Sequence, residues 1–76
     1  MNKARRKEIG KAVELLIEAR LSLETARDGE QEALDALPES FRDGEKGSAM
    51  EETIDRLETL ISELETAEDE ARELSQ

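Results

Sequence analysis

Residues 37 to 50 read LPESFRDGEKGSAM, and this stretch is the one clear break between two strongly helical arms. It holds the only Pro, the only Phe and two of the four Gly in the chain. Pro38 has no amide hydrogen and its ring clashes with the turn before it, so the first arm is expected to end near Ala36 or Leu37. Asp43-Gly44 and Gly47 read as turn chemistry, because Gly accepts a positive φ at no steric cost. Ser48-Ala49-Met50-Glu51 then reads as a capping box, with the Ser oxygen accepting from the Glu51 N–H and the Glu carboxylate accepting from the Ser48 N–H. A competing start has Asp43 as N-cap and Glu45 in the first turn. The second arm is thus expected to begin between Gly44 and Ser48. The domain divides as helix 3-36, connection 37-47 and helix 48-75.

Outward from the break, both arms carry helical periodicity. The first is rich in Ala, Leu, Glu, Arg and Lys and has no Pro. Its expected core stripe is Ile9, Val13, Leu16, Ala19, Leu23, Ala26, Ala33 and Leu37, interrupted at Glu30. Asp28-Gly29 is a weak point, yet helical residues on both sides favour continuity. In the second arm Met50, Ile54, Leu57, Ile61 and Leu64 step alternately by four and three, which is a coiled-coil seam, and Ala71 keeps the register past Glu68. Two such helices joined by a short connection pack antiparallel. The fold class expected is all-α, an antiparallel two-helix hairpin. In that register Lys7 and Lys11 can meet the cluster Glu68, Asp69, Glu70 and Glu73, while Arg5 and Arg6 overhang the end.

The stripes are too wide for a simple pair. Val13, Leu15, Leu16, Ile17, Ala19, Leu21 and Leu23 cover roughly two thirds of the helix circumference. Leu15 lies on one flank, Ile17 and Leu21 on the other; Leu60, Ala67 and Leu74 widen the second arm. These six residues are the expected self-association set. Two hairpins pairing face to face would bury them as a four-helix bundle, so a homodimer is expected, with a larger symmetric assembly as the alternative.

Composition narrows the function classes. There is no Cys, so no disulfide framework and no thiolate metal site. His, Trp and Tyr are also absent, which removes the commonest general base and most rings that stack on nucleic acid bases. No apolar run is long enough for a membrane span, and the expected location is cytoplasmic. The net charge is −10 and unevenly spread. Residues 1–11 hold five basic side chains against one acidic, and the remainder holds 6 basic against 20 acidic. An acidic body repels phosphate backbones, so no direct nucleic acid partner is expected. It suits a basic surface on another protein, and it also serves plain solubility.

The stretches KARRKEI at 3–9, EALDALPESF at 32–41 and GEKGSAMEETIDRLE at 44–58 resemble a family of small, mostly uncharacterised helical proteins carried by phages, prophages and plasmids. Gly44 stands where that pattern has a Ser cap. The resemblance spans most of the chain. It implies a helical hairpin and a mobile-element origin, and it carries no assigned activity.

Carboxylates are the only plentiful reactive groups. Glu51, Asp55 and Glu58 share one helical face, as do Glu14 and Glu18, at spacings that can offer oxygen ligands to Mg²⁺ or Ca²⁺. They lie along solvated faces, and the Glu-x-x-His pairs of a carboxylate-bridged metal bundle are missing. No metal or other cofactor is expected. Gly44 and Gly47 are not a phosphate loop, since no strand precedes them and no G-K-[ST] follows. An enzyme is not expected.

Phe41 has two readings: a plug folded back over Leu37 and Met50, or an exposed anchor rimmed by Arg42 and Lys46. The expected partner-binding residues are Phe41, Arg42, Lys46, Glu51, Asp55 and Glu58. The expected function is protein–protein interaction, namely an accessory protein that binds and inhibits a host or defence protein. A self-assembling structural subunit is the alternative. A small-ligand sponge is the weaker one, since only Arg20 and Arg27 approach the core stripe.

Overall fold

The computed structural model describes residues 1–76, all of its regular structure being helical, with no sheet. Three helices follow in order: α1 (Lys3–Asp35), α2 (Glu39–Arg42) and α3 (Glu45–Ser75). The body is extended, 59 × 14 × 12 Å. α1 begins directly after Asn2, whose side chain accepts from the Arg5 N–H at 2.9 Å as an N-cap. The basic N-terminal segment is therefore ordered helix from Lys3 onward. Asp28-Gly29 does not interrupt α1.

The break follows Pro38 as expected, but its interior differs. α1 ends at Asp35 with Ala36 as C-cap, and Pro38 itself starts the single turn of α2. The guanidinium of Arg42 folds back to donate to the carbonyls of Asp35 at 2.8 Å and Leu37 at 3.1 Å. The Asp35 carbonyl is one of the orphan carbonyls that any helix C-terminus must satisfy, and the Leu37 carbonyl lies just past the cap. α3 begins at Glu45, three residues ahead of Ser48, with Gly44 as N-cap and no side-chain cap. The Ser48 N–H donates to the Gly44 carbonyl, so Ser48 is already inside the helix and the capping box is not used. No glycine has a positive φ. Gly44 is extended at φ −98°, and Gly47 is buried within α3.

Gly47 is there for room. A Cβ at this position would stand 1.9 Å from the Arg42 carbonyl oxygen, so α2 can cross α3 only over a bare Cα. At Gly10 a Cβ would meet nothing within 4 Å.

α3 packs on α1 and runs back along it. Arg20 bonds Glu68, 48 residues away, and Ser75 and Gln76 line one shallow groove with Lys7 and Lys11. The seam positions follow an unbroken alternation of four and three. In α1 and just beyond they are Ile9, Val13, Leu16, Arg20, Leu23, Arg27, Glu30, Leu34 and Leu37. In α3 they are Gly47, Met50, Ile54, Leu57, Ile61, Leu64, Glu68, Ala71 and Ser75. Every one is buried or half-buried. The α3 seam matches expectation. On α1 the seam passes through Arg20, Arg27 and Leu34, and the expected Ala19, Ala26 and Ala33 are exposed beside it. Val13, Leu34, Ile54 and Ile61 form the buried apolar core, and no side chain is wholly enclosed.

Two glycine substitutions should move stability in opposite directions. Gly47→Ala should cost about 1–3 kcal/mol through overpacking, although Ala is the better helix former. Gly10→Ala should stabilise by about 0.5–1 kcal/mol. Urea unfolding followed by circular dichroism measures both.

Candidate functional site: two contrasting sides of a helical pair

The seam divides the molecule into two sides. Where two helices run antiparallel with their seams facing, a two-fold relation normal to their plane keeps front residues in front. A residue just before the first position of each heptad on α1 therefore shares a side with its counterpart on α3. Helical spacing puts Ala12, Leu15, Ala19, Ser22, Ala26, Gly29, Ala33 and Ala36 on one side of α1. Thr53, Leu60, Ala67 and Leu74 of α3 fall on that same side, together with the charged Lys46, Arg56, Glu63 and Glu70. From Ala12 to Ala36 this strip of α1 contains no charged residue. The opposite side carries Glu14, Glu24, Asp28 and Asp35 from α1, and Glu51, Asp55, Glu58, Glu65 and Asp69 from α3.

The residues expected for self-association are thus distributed over both sides. Leu15, Leu60, Ala67 and Leu74 lie together on the alanine-rich side. Ile17 and Leu21 lie on the carboxylate side, where Ile17 is half-buried beside the seam. Leu15 is 65% exposed, Leu74 57%, Leu21 51% and Leu60 46%, so the helical pair leaves all four leucines uncovered.

The expected partner-binding residues do not converge either. Glu51, Asp55 and Glu58 are exposed along the carboxylate side. Asp55 and Glu58 line a shallow open groove with Thr59, Ser62 and Glu63. Lys46 falls on the other side by its helical position. Arg42 is committed to the α1 carbonyls, which gives it a structural role. Phe41 is 56% exposed, so it does not plug the end of the core over Leu37 and Met50.

Within the seam, Arg20 is the polar tie that sequence reasoning underrated. Its Nε donates to Glu68 Oε2 at 2.6 Å and its Nη1 to Glu24 Oε1 at 3.0 Å. Glu68 is the one charged residue buried in the chain. The hydrogen bond to Glu68 is the main cause holding the Arg20 guanidinium above its ordinary pKa; desolvation opposes it, and Glu24 adds to it. The unbroken three-four spacing was the signal that could have found this pair. Ala19, the apolar neighbour of Arg20, masks that signal by its chemistry. The expected pairing of Lys7 and Lys11 with the acidic end of α3 is replaced by local pairs, Lys11 with Glu8 at 3.6 Å and Arg72 with Asp69 at 3.7 Å.

No group of three carboxylates converges in a way that could hold a metal ion. No helix is long and apolar enough to cross a membrane. Grooves are shallow, and the geometry offers surfaces for recognition more than an enclosed pocket for chemistry. The class defined by these features is a small, extended, three-helix all-α protein. No protein-family description, curated protein or solved structure matches the chain.

Arg20→Ala should lower the thermal midpoint by roughly 5–10 °C, because it strands the buried Glu68 carboxylate. The double change Arg20→Met with Glu68→Leu should regain that loss, since apolar side chains of similar size fill the seam without a charge to compensate. Thermal unfolding of the three proteins decides it.

Proposed function

We propose that the chain is a non-enzymatic protein–protein interaction module. Its two long helices act as a hairpin that pairs with a second hairpin as a homodimeric four-helix bundle, and the acidic side binds a basic surface on another protein. The observation that carries this reading is the segregation of a side bearing Leu15, Leu60 and Leu74, whose α1 strip from Ala12 to Ala36 is uncharged, from a side dense in carboxylates. A core of four buried apolar side chains, none wholly enclosed, is thin for 76 residues, and association is the usual remedy.

The acidic side suits a groove that otherwise holds nucleic acid, because its carboxylates offer the charge that phosphates would. Taken with the resemblance to mobile-element proteins, the reading is of a cytoplasmic accessory protein that occupies such a groove on a host or defence protein and blocks it. Phe41, exposed at the tip, adds an apolar anchor next to this charge.

Tagged protein used as bait in a bacterial lysate should retain one stoichiometric basic partner, released as salt rises toward 1 M. The triple change Glu51→Gln, Asp55→Asn, Glu58→Gln should abolish retention while leaving the fold intact. Retention indifferent to both salt and the triple change would overturn binding through the acidic side. Recovery of only its own untagged copies would assign the protein a structural, self-assembling role.

A further inference from the structure

We infer that the alanine-rich side docks a second copy of this chain in one orientation: end for end, α1 on α1 and α3 on α3, about a two-fold axis crossing near Ala26 and Leu60. The inference rests on the self-association proposed above and adds its geometry.

Charge chooses the orientation. Between Asp28 and Asp55, the end holding the connection, there are ten carboxylates against two basic side chains. The other end, residues 1–11 with residues 66–76, holds six basic against five acidic. Two copies stacked with their connections together would superpose the two most acidic ends. Reversing one copy brings the basic start of α1 over the acidic connection of the other, at both ends of the dimer at once. Such an isologous contact is closed and self-complementary.

The centre of the side fits the same axis. Leu60 is level with the Glu24 to Asp28 turn of α1, counted along the seam from the Arg20 to Glu68 tie. Reversal about this level sets Leu60 on its own copy. It also sets Arg56, one turn before, against Glu63 of the second copy, one turn after. Arg56 and Glu63 are both exposed, and neither joins an ion pair within the chain. On α1 the axis lays Ala19 against Ala33 of the second copy, Ser22 against Gly29 and Ala26 against its own counterpart, which lets two helix backbones approach closely. The face measures 59 by 14 Å between backbone atoms, and a standard interface takes about 800 Å² from each partner, so the side is large enough.

The chain has no cysteine, so single-cysteine spin labels report cleanly on the arrangement. A label at Ser40→Cys sits at the connection. Pulsed dipolar spectroscopy on this protein should give a label separation of roughly 40 Å, twice the helical rise of about 1.5 Å per residue from the level of Ala26 to the connection. A mixture of Ser40→Cys with Glu8→Cys should add a short distance, of roughly 15–25 Å for adjacent helices and two tethers. Arg56→Glu and Glu63→Arg should each weaken dimerisation roughly tenfold by sedimentation equilibrium, and the two together should restore it. A short Ser40–Ser40 distance, or no rescue in the double variant, overturns this geometry and leaves self-association standing. A monomeric mass for the unmodified protein overturns both and leaves the side to a different protein.

Discussion

An ionised arginine lies in the seam between two long helices, and the arrangement of the molecule depends on how it is satisfied. Apolar layers alone would allow α3 to slide along α1 by a heptad, because Leu and Ile repeat at the same spacing. Arg20 removes that freedom: only one register places Glu68 at 2.6 Å from its Nε. Slippage would leave a carboxylate with 4% of its side chain exposed without a partner. A polar layer of this kind contributes less to stability than to choosing one alignment among several. The alignment then decides which residues share a side.

Much of the fold was legible in the sequence. The two long helices follow from helix-forming composition interrupted once, and Pro38 marks the interruption, whereas the single turn of α2 within the connection was not legible. The α3 seam was readable because Ile54, Leu57, Ile61 and Leu64 are both periodic and apolar. The α1 seam was not, because periodicity and polarity disagree there. Ala19, Ala26 and Ala33 advertise burial by their chemistry, whereas Arg20 and Arg27 lie where the period requires. Long arginine stems can lie in a seam with their charged heads at its margin, so the period wins. The connection was misread for a related reason. Glycine signals either an unusual φ or missing volume, and sequence does not separate the two; at Gly47 the cause is volume. Leu15 and Leu21 were separable from helical spacing alone, whereas which of them shares a side with Leu60, Ala67 and Leu74 required the true seam.

The two sides follow from one alternation. A heptad has seven positions and the seam consumes two, so the remaining five are free to differ in chemistry left and right. In this chain the left and right flanks are not interchangeable: one is rich in alanine and leucine and free of charge along α1 from Ala12 to Ala36, the other is dense in aspartate and glutamate. An amphipathic helix in a simple pair would show charge on both flanks. The asymmetry is therefore a second level of patterning on top of the seam, and it is carried by both helices in concert.

The tight corner at Gly47 and Arg42 also bears on how the chain reaches this state. Arg42 ties down the end of α1 while its own carbonyl rests on α3, so the corner is a closed structure of few residues. Contacts near it close short loops, whereas Arg20 and Glu68 must close one of 48 residues. Loop-closure entropy accordingly favours contacts near the corner over those at the open end. The basic start of α1 lies at the end farthest from the corner, so the most positive segment of the protein is joined to the rest by the longest loop closure.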